Sequence, residues 1–169
     1  MQIAFDNVPP FNLVKHPTKV FGGHLVIQTN FPELDRAFLE RLAAIDFGAI
    51  AFKLMNAEDG DSWTLEMATW AIAQYRRFLV LTYLYPDEQI VPSREVDLVW
   101  HTHILDTAKY RADCNVLFGR FIDHWPYFGM TDEADRQALE DAFTTTQALL
   151  AKHFGDELVA KTEKNLSLS

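Results

Sequence analysis

The segment from Thr64 to Tyr85 constrains the fold more than any other part of the chain. Leu65, Ala68, Thr69, Ile72, Tyr75, Leu79 and Tyr83 recur at helical spacing, and Pro86 supplies the stop. Thr64 or Ser62 can cap the start, after the acidic turn Asn-Ala-Glu-Asp-Gly-Asp-Ser. From Phe78 to Tyr85 the sequence is apolar on nearly every side, which demands neighbours all round and places this helix at the centre of a bundle. The run is broken by Thr82 and falls far short of the ~20 residues that span a bilayer, so no membrane association is expected.

Other helices arrange themselves about this one. A first helix is expected from about Pro32, with Asn30 as its cap and Leu34, Phe38, Leu39 and Leu42 on its buried side. Gly48 to Met55 is too short for periodicity to separate a helix from a strand, although Asp46 can cap a helix there. Ser93 begins a third helix read as continuous to Phe118, where Gly119 ends it. A fourth opens at Thr131, with Asp132 and Glu133 in its first turn, and closes at Gly155. Leu139, Ala142, Phe143, Thr146, Leu149, Leu150 and Phe154 form its expected buried stripe. The reading is all-α: one helical bundle of four to five helices with an extended N-terminal arm. Its divisions are an arm over 1–30 containing one possible strand at His24–Thr29, a helical module over 31–155, and a polar tail over 156–169.

At 169 residues and 49% hydrophobic, the chain can bury one core without a metal or disulfide to hold it. The single Cys114 has no internal partner, and the opening residues carry neither a basic start nor an apolar run, so a cytoplasmic address is expected. Fifteen Lys and Arg against 24 Asp and Glu give a net charge of −9. Nucleic-acid binding, which rests on cationic side chains displacing counterions from phosphates, is therefore not expected. Glycine-rich phosphate loops are absent, so no nucleotide cofactor is expected.

Chemistry concentrates in Asp97-Leu-Val-Trp-His-Thr-His-Ile-Leu-Asp106, followed by Tyr110, Asp113, Cys114 and His124. On a helix His101 and His103 point about 160° to 200° apart, so they cannot ligate one ion from a regular helix. Either the helix is interrupted between Trp100 and His103, or the two histidines serve different seams. Asp97, one turn before His101, can hydrogen-bond to it and fix its tautomer. His103 shares a face with Val96, Val99, Thr107, Tyr110, Cys114 and Leu117, and can converge with Cys114 on a pocket that His124 enters from the following loop. The candidate metal ligands are His101, His103, Cys114 and His124, with Asp97, Tyr110 and Asp106 supporting them. Two imidazoles and a thiolate suit zinc, or else iron or copper. Asp113 is expected nearer solvent than Asp97, and Trp100 is expected to be buried against the long helix near Ile72, Tyr75 or Leu79. Cys114 lacks the positive surroundings that activate a thiolate nucleophile, since Asp106 and Asp113 have the wrong sign. The acidic turn at Glu58, Asp59 and Asp61 lacks calcium-loop spacing and reads as a solvated loop.

These same residues carry a resemblance. Tyr75-Arg-Arg-Phe-Leu, Ile90-Val-Pro-Ser, the run from Val96 to Tyr110, Asp113-Cys114, Phe118-Gly119 and His124 with Pro126-Tyr-Phe-Gly resemble the glycine-rich domain-containing protein-like family over about residues 33–155. The resemblance implies a compact module and brings no substrate with it. With seven glycines the chain lacks the glycine-rich region of the plant members, so their physiology does not transfer. Two functional readings stand: a small metal-binding protein, or metalloenzyme, acting on a small molecule, or a protein-interaction module whose His, Tyr and Cys side chains form a structural polar network.

Overall fold

A computed structural model describes residues 36–56 and 63–155. The N-terminal arm with its possible strand, the start of the first helix at Asn30 and Pro32, the acidic turn with Ser62, and the C-terminal tail lie outside the described residues. Within them are six helices: α1 (Arg36–Ala44), α2 (Gly48–Met55), α3 (Leu65–Leu84), α4 (Arg94–Leu105), α5 (Thr107–Phe118) and α6 (Glu133–Phe154). No strand occurs among the described residues, which form an all-α domain.

Helix α3 is the central element. Thr64 caps it by accepting from Met67 N, and the chain leaves the helix at Tyr85, ahead of Pro86. Ala68, Ala71, Ile72, Tyr75, Phe78, Leu79, Val80 and Leu81 are all buried, and α2, α4 and α6 pack around them. The loop between α1 and α2 is tied to α3 by Arg76. Its guanidinium donates to the carbonyls of Leu42, near the end of α1, and of Ile45, just beyond it, and lies 4.7 Å from the Phe47 ring. Phe38 of α1 stacks on Tyr83 of α3 with ring centroids 3.9 Å apart. The ambiguous segment Gly48–Met55 is a helix, α2. Asp46 Oδ1 accepts from Gly48 N at 2.8 Å, and Ile50, Ala51 and Leu54 turn inward.

Two expectations about helices are corrected. The stretch from Ser93 to Phe118 is two helices, bringing the number above the four or five expected. Asp106 (φ −81°, ψ 69°) ends α4, and its carboxylate accepts from Lys109 N to start α5. A short acidic side chain that can satisfy the new helix's free N–H groups competes with continuation of the old helix. The buried face nonetheless carries across the break, because Val96, Val99 and His103 on α4 and Tyr110, Cys114 and Leu117 on α5 are all inside. Only Thr107 of that expected face is exposed. The second correction concerns α6, whose expected apolar stripe is mostly half-buried; Thr146 is its one buried residue. The helix lies on the outside of the bundle against α3, and Thr146 serves as a polar rivet. Its hydroxyl accepts from Val91 N at 3.0 Å and donates to Ala142 O at 2.9 Å.

No described helix is long and apolar enough to cross a membrane. Trp100 is buried against α3 as expected, 7% exposed, its ring 4.9 Å from Phe78 in the same core cluster as Ile72, Tyr75 and Leu79.

Candidate metal centre

Helix α4 is regular through Trp100 to His103, so its two histidines leave on opposite sides. His103 enters the core. There Tyr75 donates its hydroxyl to His103 Nδ1 (3.0 Å), and His103 Nε2 donates to Asp113 Oδ2 (3.0 Å). A carboxylate accepts only, which assigns the ring proton to Nε2 and leaves Nδ1 as the acceptor. Lys109 Nζ completes the chain at 2.8 Å from the same Asp113 oxygen. The rings of Phe47, Tyr75 and Tyr110 stand edge-on around the imidazole at 5.5, 5.9 and 4.9 Å. Burial, outweighing the attraction of Asp113, holds the His103 pKa below the ordinary imidazole value and keeps the ring neutral. Both ring nitrogens are occupied, so His103 has no lone pair free for an ion.

A second network lies beside the first. Trp100 Nε1 donates to the Tyr110 hydroxyl at 2.8 Å, and that hydroxyl donates to the carbonyl of Ile122 at 2.7 Å. Burial pushes the Tyr110 pKa well up, so the phenol stays protonated as donor. Cys114 is 3% exposed, and burial likewise pushes its thiol up. It is a packed thiol, not an activated one.

His101 leaves the opposite side of α4 and meets two other groups at the surface. Its Nε2 lies 3.0 Å from His124 Nε2 and 3.7 Å from Asp97 Oδ1, while His124 Nε2 is 3.2 Å from the same oxygen. Asp97 and His101 reach this point because they are one helical turn apart; His124 reaches it because the loop after Gly119 doubles back. Gly119 adopts a left-handed φ of 66°, which turns the chain at the end of α5. The bond from Tyr110 to Ile122 then pins the loop two residues before His124, and the Trp100 ring lies 4.7 Å from the His124 ring. Side-chain exposures of 35% for Asp97, 47% for His101 and 19% for His124 leave the cluster open on one side. These three residues could hold a metal ion.

The candidate residues thus separate. His101 and His124 come together with Asp97, whose carboxylate is nearer to His124 than to the His101 it was expected to orient. His103 and Cys114 are not part of that group, and each is buried on the other side of α4. Asp106 is exposed and caps α5; Tyr110 supports the loop that carries His124. The expectation that Asp113 lies nearer solvent than Asp97 is reversed: Asp113 is buried, and Asp97 is partly exposed. Tyr75 and Lys109 were not anticipated as members of the buried network. The spacing of Lys109 and Asp113, one turn apart on α5, is a signal for their pairing; nothing local marks Tyr75.

A helical module with two separate histidine networks on either face of one helix is what the geometry defines. The model of the UCP032817-like family matches residues 44–152, and the chain belongs to that family. Over 89 residues, half of this chain, it is 32% identical to glycine-rich domain-containing protein 1 and 30% identical to glycine-rich domain-containing protein 2, both from Arabidopsis thaliana. The match covers 11% of each plant protein's length, so this chain corresponds to a small part of those relatives. No solved structure matches the chain.

Proposed function

We propose that Asp97, His101 and His124 form an open-sided site for one divalent transition metal ion, and that binding this ion is the function of the module. The observation that carries the reading is the triangle of 3.0, 3.2 and 3.7 Å between the three ligating atoms. A point equidistant from the three lies about 1.9 Å from each, so an ion at the ~2.0–2.2 Å of imidazole and carboxylate bonds sits just above their plane. Proton bookkeeping points the same way. Two imidazole nitrogens 3.0 Å apart cannot both carry a proton between them, so at least one turns a lone pair inward.

The donor set is harder than the thiolate set anticipated from the sequence, which suits zinc, iron or copper(II) and not copper(I). Three ligands on one side leave positions for water or a small-molecule substrate, the arrangement of a catalytic rather than a structural centre. An ion there would act as a Lewis acid or lower the pKa of a bound water. The buried His103 network belongs to the other reading, a structural polar network, and has that role beside the metal site.

Titration calorimetry with zinc and cobalt on protein purified without an affinity tag tests the proposal. Binding near one ion per chain is expected, weakened at least about 10-fold by His101→Ala, His124→Ala or Asp97→Asn and retained by Cys114→Ala. Wild-type affinity in the three ligand variants, or no saturable binding at all, would overturn it.

A further inference from the structure

The outer face of α5 carries a feature unrelated to either histidine network. Ala108, Arg111, Ala112 and Asn115 follow one another at helical spacing, and Arg120 and Phe121 return over them to close an open groove of about 410 Å³. Each wall has a structural cause. The left-handed turn at Gly119 reverses the chain so that Arg120 and Phe121 face back along the helix they have just left. Phe121, 48% exposed, is held by an edge-to-face contact with Tyr110 at 5.1 Å. Ala108 and Ala112, one turn apart, give a floor without long side chains.

The groove is cationic in an acidic chain. Against a net charge of −9, Arg111 and Arg120 line one groove, and neither has a carboxylate partner among the described residues. Arg36, paired with Glu40, and Arg136, paired with Glu133 and Glu140, are neutralised where they stand, whereas Arg111 and Arg120 face one groove together. Two guanidiniums and an amide beside an apolar floor and an aromatic wall match a bipartite ligand. We infer that this groove binds a small organic anion, in which a phosphate or carboxylate engages Arg111, Arg120 and Asn115 while an apolar or aromatic body rests on Ala108, Ala112 and Phe121. The volume falls in the range of small-molecule sites, and the planar guanidinium suits either anion.

The test is an amide chemical-shift titration of the full chain in chelator-treated buffer with phenyl phosphate, benzoate, phenol and inorganic phosphate. Saturable shifts centred on Ala108, Ala112 and Phe121 are expected with phenyl phosphate or benzoate, and whichever binds more tightly identifies the anion. Phenol and inorganic phosphate, each carrying half the ligand, are expected to bind at least about 10-fold more weakly. Arg111→Gln and Arg120→Gln should each weaken binding about 5-fold or more, with melting temperature unchanged because both side chains are exposed, and Asp97→Asn should leave it intact. Absence of saturable shifts at these amides, persistence of binding in both arginine variants, or equal binding of inorganic phosphate would overturn the inference.

Discussion

His101 and His103, two residues apart, occupy opposite chemical environments, and the difference lies in which of their nitrogens are already engaged. His103 is satisfied on both sides by Tyr75 and Asp113, and Asp113 is in turn held by Lys109. Removing the charge at Asp113 leaves the half-buried Lys109 cation and a buried imidazole N–H poorly paired. Asp113→Asn should therefore cost about 1.5–3 kcal/mol, the range of hydrogen bonds to charged groups. Differential scanning calorimetry should show a fall of roughly 3–10 °C at this chain length, with metal affinity kept. Asp97→Asn should do the reverse, sparing stability and weakening the metal. An Asp113→Asn protein that melts with the parent would remove the buried network from the account. Cys114 offers a second check at this scale. Burial raises its pKa and shields it, so at pH 8 the native thiol should react with a disulfide reagent at least about 100-fold more slowly than in denaturant. Equal rates would mean the thiol is open to solvent.

At the scale of elements, the proposed metal site depends on a loop held by a hydrogen bond from a helix. Tyr110 joins Trp100 on α4 to the carbonyl of Ile122, two residues before His124. Tyr110→Phe keeps the ring in the core but releases that carbonyl, and should weaken metal binding about 10-fold, as loss of a supporting hydrogen bond does at other metal sites. Unchanged affinity would show that the loop is placed by packing alone. Further along the loop, Gly129 has a φ of 83°, and a Cβ there would lie 2.5 Å from Leu139 Cδ2 and 3.0 Å from Leu139 Cβ on α6. Gly129→Ala should thus destabilise the protein by about 1–3 kcal/mol in denaturant unfolding, through backbone strain and the clash together. Helix starts at Thr64 and Ser93 are legible in the sequence because a capping side chain marks each, whereas the last helix begins two residues after the expected Thr131, with Asp132 as its cap and not part of its first turn. The break at Asp106 is not, because the apolar face continues through it and periodicity records the face rather than the axis. The buried stripe foreseen on α6 fails for a related reason: periodicity gives the direction a face points, not how closely a neighbour approaches it.

For the whole molecule, the core closes around α3 with Asp97, His101 and His124 at its edge, where the His124 ring rests against Trp100. The proposed ligands are therefore not among the residues that fill the core. That separation explains how much of the site could be read in advance. Helical geometry divides His101 from His103 and puts Asp97 beside His101, but the return path of the loop after Gly119 decides which histidine His124 joins. That path is fixed by the Tyr110 hydroxyl and Ile122, partners brought together only by the folded bundle, so the sequence reading joined His124 to His103 and Cys114. The most direct test of the central claim is the X-ray absorption spectrum of the zinc-loaded protein purified without an affinity tag. The account predicts a shell of nitrogen and oxygen at ~2.0–2.2 Å, with outer scattering from two imidazoles and no sulfur; a sulfur neighbour at ~2.3 Å would bring Cys114 into the site and contradict it.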